Sequence, residues 1–166
     1  MKCMAVMVLS AVCGLCGCGR TELAGPPTIR LGKDECVSCG MIISEGKCSG
    51  AMLIETAGDR AHVLFDDLGC LLDYQREQAG KVRVVGIFVH DFGDGGWVES
   101  NAATYVFGAE GRVHTPMGSG IIAFGSRERA EARQRESGGE LMAFAALAEA
   151  RRDWMEQRFG RAAKAR

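Results

Sequence analysis

A chain of 166 residues with 20 basic and 21 acidic side chains has room for one ordinary domain or two small ones. A net charge of −1 leaves no electrostatic footprint for nucleic acid, so a nucleic-acid-binding role is excluded. Eight cysteines and eight methionines make sulfur the unusual element of the composition.

In chain order, Lys2 precedes an apolar and small-residue run from Cys3 to Gly17. As a helix that run reaches about 22 Å, short of the ~30 Å hydrocarbon core, so it is a poor membrane span. A positive start, a short apolar run and small residues at its end predict a secretory signal peptide over residues 1–17. Leu15-Cys16-Gly17-Cys18 resembles a bacterial lipobox, with Cys18 as the lipidated new N-terminus, although Cys16 departs from the usual Ala or Ser. The mature protein is therefore expected outside the cytoplasm, on the periplasmic face, anchored to a membrane by lipid. Lys2 leaves with the leader and no acid does, which moves the balance from −1 to −2. Cys3, Cys13 and Cys16 leave too, and with Cys18 blocked the thiols that remain are Cys36, Cys39, Cys48 and Cys70.

Residues 18–33, with Gly25, Pro26, Pro27 and Gly32, read as a flexible tether. Ala51–Glu55 and His62–Phe65 flank the turn signal Ala57-Gly58-Asp59 and predict a hairpin. Asp66 is read as the cap of a following helix, with Asp67 in its first turn. Leu68, Leu71 and Leu72 form an apolar face on that helix, and Gly80 closes it. Residues 82–89 are the clearest strand.

The second half repeats the order. Thr104–Phe107 leads through Gly108 and Gly111 to Arg112-Val113-His114, residues 120–124 form a strand, and Ser126 caps a charged helix to about Glu136. Ser137-Gly138-Gly139 breaks it, and Leu141, Phe144, Ala145 and Ala148 are read as the apolar side of a final helix. The expected fold class is α+β: two similar ββα(β) units in tandem, residues 34–96 and 97–150, ahead of a basic, solvated tail at 151–166.

Asp34-Glu35-Cys36-Val37-Ser38-Cys39-Gly40-Met41 is the most informative stretch. A CxxC pair alone fits a zinc half-site, a redox pair or a soft-metal site. No second CxxC or histidine pair completes a common zinc site. A thioredoxin-like site would carry an aromatic before the first cysteine, where acids stand here. Met41 adds a thioether, and thiolate with thioether is the set that selects Cu(I); a Cys36–Cys39 disulfide beside a core methionine is the plainer alternative. Met117 lies in the Gly/Pro-rich run Thr115-Pro116-Met117-Gly118-Ser119-Gly120, where packing explains a methionine less readily than in a helix. His114 beside it can supply nitrogen. His62 and His90 lie on strand-like runs and receive no metal role. Cys70 is read as a small buried hydrophobe and Cys48 is left unassigned. Asp66-Asp67 is read as helix capping, and no arrangement in the chain calls for catalysis; the protein is not expected to be an enzyme.

Four blocks then converge. Asp34 to Ile43 resembles the signature D-x-C-x-x-C-G-M-x-I. Phe65-Asp66-Asp67-Leu68-Gly69-Cys70 is similar to F-D-D-x-G-C, and Trp97 to Val106 to W-[VI]-x-A-x-x-A-x-Y-V, with Ser100 where Ala is usual. Thr115 to Phe124 is similar to T-P-M-G-x-G-x-x-A-F. In this order they resemble the NosL family of copper-binding lipoproteins that accompany nitrous oxide reductase. The resemblance covers about residues 18–150 and leaves out the basic extension. It implies a two-unit ββαβ-like fold, Cu(I) binding, and delivery to the copper centres of nitrous oxide reductase, with an ABC-type membrane complex as partner. Carried over residue by residue, it points to Cys39, Met41 and Met117 as Cu(I) ligands, and less firmly to Cys36 and His114. The alternatives to this reading are a periplasmic thiol–disulfide oxidoreductase using the CxxC pair and a structural zinc-binding protein.

Overall fold

The computed structural model describes residues 23–108 and 113–160. The leader, the lipobox with Cys18, the Gly111-Arg112 part of the second expected turn and the last six residues of the tail lie outside them. Among the described residues no helix is long and apolar enough to cross a membrane.

β1 (Gly50–Thr56) and β2 (Asp59–Phe65) form the expected antiparallel hairpin, paired from Gly50↔Phe65 to Thr56↔Asp59. Its two-residue turn takes positive φ at both positions, 53° at Ala57 and 86° at Gly58, the geometry that matches strand twist in tight hairpins. After α1 (Leu68–Glu77), β3 (Arg83–His90) and β4 (Trp97–Glu99) complete a sheet of order β2-β1-β3-β4. The second unit comprises β5 (Thr104–Phe107), β6 (Ile122–Phe124), α2 (Arg127–Ser137) and β7 (Glu140–Met142), in the order β6-β5-β7; α3 (Phe144–Met155) follows. In both units the first strand is central, the second and third flank it, and the helix joins the flanking pair. The α+β class and the ββαβ repeat are thus both present.

The two units share one core. Met52, Phe65, Leu71 and Val89 from the first pack in the same cluster as Tyr105 and Ile121 from the second and Leu147 of α3, all within 1% of full burial. Asp91, also 1% exposed, adds a polar join: it accepts from Gly93 and Gly125 N–H (2.7 and 2.6 Å) and pairs with Arg129 at 2.7 Å. A buried carboxylate with this many donors is held rather than free to react.

Several local expectations are corrected. Trp97–Glu99, placed at the head of the second unit, pairs with β3 and belongs to the first sheet. Leu141 lies in β7, opposite Val106, because the open edge of β5 takes the segment as a strand before the last helix begins. The second unit's flanking strand is β6, and the described Val113-His114 are outside any strand. From Leu23 onward the expected tether is held to the body: Arg60 donates to the Leu23 carbonyl at 3.3 Å and His62 Nε2 to that of Gly25 at 2.8 Å. The basic segment is helical up to Gly160, and Arg151 is 9% exposed, paired with Asp73 of α1 at 2.8 Å and lying over Trp154.

Candidate metal centre

The CxxCGM segment is a miniature hairpin. Glu35 and Ile42 bridge antiparallel, and Ile43 N–H donates to the Asp34 carbonyl at 2.8 Å. At the tip, Cys36 N–H donates to the Met41 carbonyl and Gly40 N–H to that of Cys36, both at 2.8 Å. Gly40 closes this tip at φ +73°, where a side chain would be strained. Val37 N–H donates to the Leu64 carbonyl at 2.9 Å and docks the loop on the end of β2.

The chain leaves β2 at Phe65 and enters α1 through the two aspartates, and these have different roles. Asp67 is the cap: its Oδ1 accepts from Gly69 N–H at 2.6 Å. Asp66, read as the cap from sequence, instead turns under the CxxC loop and is 2% exposed. Its carboxylate and the sulfurs of Cys36, Cys39 and Cys70 all lie within 4.8 Å of one another, the one such cluster among the described residues that fits a metal ion. Cys36 is 1% and Cys70 8% exposed, whereas Cys39 is half-buried and is the thiol on the open side. Cys39 Sγ donates to Asp66 Oδ1 at 3.6 Å.

The environment separates the four groups. The Cys70 thiol donates to Cys36 and draws the pKa of Cys36 well below the usual thiol range, against the effect of burial; backbone N–H groups of Asp66 and Cys39 help. Cys70, as donor to that sulfur and buried, moves strongly upward. Burial raises Cys39, and the Met41 N–H opposes the rise. Burial, reinforced by Cys36, raises the Asp66 carboxyl to about 6. The hydrogen bonds gathered on Cys36 thus favour its thiolate, the form in which sulfur binds a soft ion.

The second methionine loop reaches the same end of α1. Gly118 N–H donates to the Thr115 carbonyl at 2.9 Å, closing a β-turn with Pro116 and Met117 at its corners. Thr115 Oγ1 accepts from Gly120 N–H and Ser119 Oγ from Ile121 N–H, each at 3.2 Å. Met117 N–H donates to Asp67 Oδ2 at 2.9 Å. Gly69 makes this approach possible, since a Cβ there would stand 2.7 Å from Ser119 Cβ. Met41 and Met117 are 54% and 48% exposed, an uncommon state for methionine that core filling does not explain.

His114 lies apart from the thiol cluster. It is exposed, it lines a shallow depression with Glu45, Lys47, Phe92 and Arg133, and its carbonyl faces the Cys48 sulfur at 3.9 Å. Cys48 is buried in the smaller core cluster with Val106, Ile122 and Phe124, and burial pushes its thiol up to about 12, so it behaves as a core residue. His90 stacks on Trp97 at 3.7 Å and faces Ser49 Oγ at 2.6 Å. Sequence reasoning missed Asp66 and Cys70 as members of the cluster. The signal was in F-D-D-x-G-C itself: one acid suffices to cap a helix, which left the other, four residues before a cysteine, without a task.

The NosL family model matches residues 28–151 of the chain. Among solved structures, the crystal structure of the copper chaperone NosL from Shewanella denitrificans superposes with a TM-score of 0.57 at 23% identity, covering 72% of this chain and 96% of that one. The solution NMR structure of the apo-NosL protein from Achromobacter cycloclastes gives 0.44 at 25% identity, covering 58% and 82%. No curated protein matches. The family match takes in the CxxCGM hairpin, the Asp66–Cys70 turn and the TPMG loop, and the chain belongs to the NosL family.

Proposed function

We propose that the protein is a copper chaperone, lipid-anchored on the periplasmic face of a membrane, that carries Cu(I) for assembly of the copper centres of nitrous oxide reductase. Its partners are the reductase and the ABC-type complex that serves its assembly. The cargo ion sits at the open side of the cluster, bound by the Cys39 thiolate with Met41 and Met117 as thioether ligands. One observation carries this reading: the half-buried thiol belongs to the CxxCGM loop, and the second methionine loop is tied to the same helix start through Asp67. Thiolate and thioether donors favour Cu(I) over harder ions. Few ligands on an accessible ion let an acceptor's sulfur or imidazole enter before the old bond breaks, as a carrier requires. Membership of a family that includes the copper chaperone from Shewanella denitrificans supports the same cargo.

The competing chemistries fit less well. A thiol–disulfide exchanger needs an attacking sulfur that its partner can reach, but the first cysteine of the CxxC pair, Cys36, is 1% exposed. A structural zinc site has no use for two half-exposed methionines. The experiment is Cu(I) titration of the reduced protein against a chromogenic chelator. Tight Cu(I) binding that weakens in Cys39→Ala and Met117→Ala supports the proposal; zinc bound tightly and not exchanged for Cu(I) would favour the structural alternative.

A further inference from the structure

The proposed cargo site uses one of the three clustered thiols and leaves two sulfurs buried behind it. Cys36 and Cys70, 1% and 8% exposed, face Cys39 within 4.8 Å, and the loops that carry Met41 and Met117 are tied by their backbones to Cys36 and to the Asp67 cap of α1, which makes five sulfur-bearing residues in all. A low-coordinate ion cannot draw on all five. The two thioethers are exposed and the two extra thiols buried, so the donors divide into an outer and an inner set with the Cys39 sulfur between them.

We propose that Cys36, Cys39 and Cys70 form a second, inner Cu(I) seat behind the exposed one, with the Cys39 sulfur shared between the two ions. The spacing is close to that of a three-sulfur site. Three thiolates around one ion at metal–sulfur distances of about 2.3 Å, the length found for zinc, stand about 4 Å apart, and the three sulfurs here already lie inside 4.8 Å. The donors are all soft, as Cu(I) requires. Asp66, a hard carboxylate, is a poor Cu(I) ligand and serves as the acceptor that orients the Cys39 thiol. Each thiol that binds releases its proton to water, and copper stays monovalent throughout. When an acceptor takes the outer ion, the inner one moves to the vacated side by exchanging bonds at Cys39, so the carrier reloads from within. The inference rests on Cys39 as the outer thiolate and adds Cys70 and Cys36 as ligands of a second ion.

The test is to load the reduced full chain with Cu(I), challenge it with a Cu(I) chelator and count retained copper by native mass spectrometry. Two ions are expected on the wild type, and one on Cys70→Ser and on Cys36→Ser, whose hydroxyls keep the shape but not the softness. The Met41→Leu/Met117→Leu double variant, which leaves the inner sulfurs untouched, is expected to retain one. This arm decides the matter if the serine variants do not fold. One ion on the wild type, two on Cys70→Ser, or none on the double methionine variant overturns the inner seat. A wild type that holds one ion and loses affinity in Met117→Ala would leave the chaperone reading standing without it, whereas no copper on the wild type would remove both.

Discussion

The carboxylate of Asp67 accepts a hydrogen bond from the backbone N–H of Met117 at 2.9 Å, across fifty positions of sequence, while its other oxygen caps α1. One fully buried side chain thus fixes the start of the helix that carries Cys70 and the loop that carries Met117. Asp67→Ala is expected to lower stability by about 2 kcal/mol, the upper end for a lost cap, because a loop N–H loses its acceptor as well. It should also weaken Cu(I) binding, although Asp67 is not proposed as a ligand. Chemical denaturation and chelator competition on the same variant check both; a stability loss with unchanged affinity would show that the loop reaches the site without this bond.

Gly69 gives a sharper probe of the same contact. An alanine Cβ would lie 2.7 Å from Ser119 Cβ, closer than such atoms approach, and 3.0 Å from Asp67 Oδ1, a tight contact. Overpacking of this kind costs about 1–3 kcal/mol. Gly69→Ala is therefore expected to displace the TPMG loop, lowering both the melting temperature and Cu(I) affinity. An unchanged melting temperature would mean that the loop is not packed on α1 in solution.

Asp66 makes a prediction about pH. Burial raises its carboxyl from 3.8 to about 6, so the folded chain holds this proton at pH values where the unfolded chain has lost it. The stability from this group is fully present below pH 3.8 and is lost as the pH rises through about 6. At pH 7 the copper-free protein carries the cost of a buried carboxylate, and Asp66→Asn should relieve part of it, by about 1–2 kcal/mol, since a shift of about two pKa units sets a ceiling of about 3 kcal/mol. The advantage should shrink as the pH approaches 4. Urea unfolding of both proteins at pH 7 and pH 4.5 measures the difference; a variant less stable than wild type at pH 7 contradicts the assignment.

Much of the architecture was legible from local pattern. The Ala57-Gly58 turn marked the first hairpin, and the Ser126 side chain caps α2 by accepting from Arg129 N–H, as read. The repeated strand, acid or serine, then helix order revealed the doubled ββαβ plan. What stayed hidden depends on contacts distant in sequence. Adjacent aspartates before a helix look alike in sequence, and Asp66 is separated from Asp67 only by the CxxC hairpin lying against it. Cys70 among leucines reads as one more apolar residue until Cys36, from another element, is placed beside it. Leu141 suits a helix face or a strand, and the free edge of β5 decides. Arg151, one charge among many in a basic segment, is distinguished by Asp73 of α1.

The central claim is that the half-buried thiol of Cys39 is the copper ligand through which the ion enters and leaves. The direct measurement is the Cu(I) dissociation constant of reduced wild type and Cys39→Ala, determined by chelator competition at pH 7 with folding verified by circular dichroism. The account predicts a loss of at least tenfold, equivalent to about 1.4 kcal/mol. A folded Cys39→Ala protein that binds Cu(I) as tightly as the wild type would contradict it.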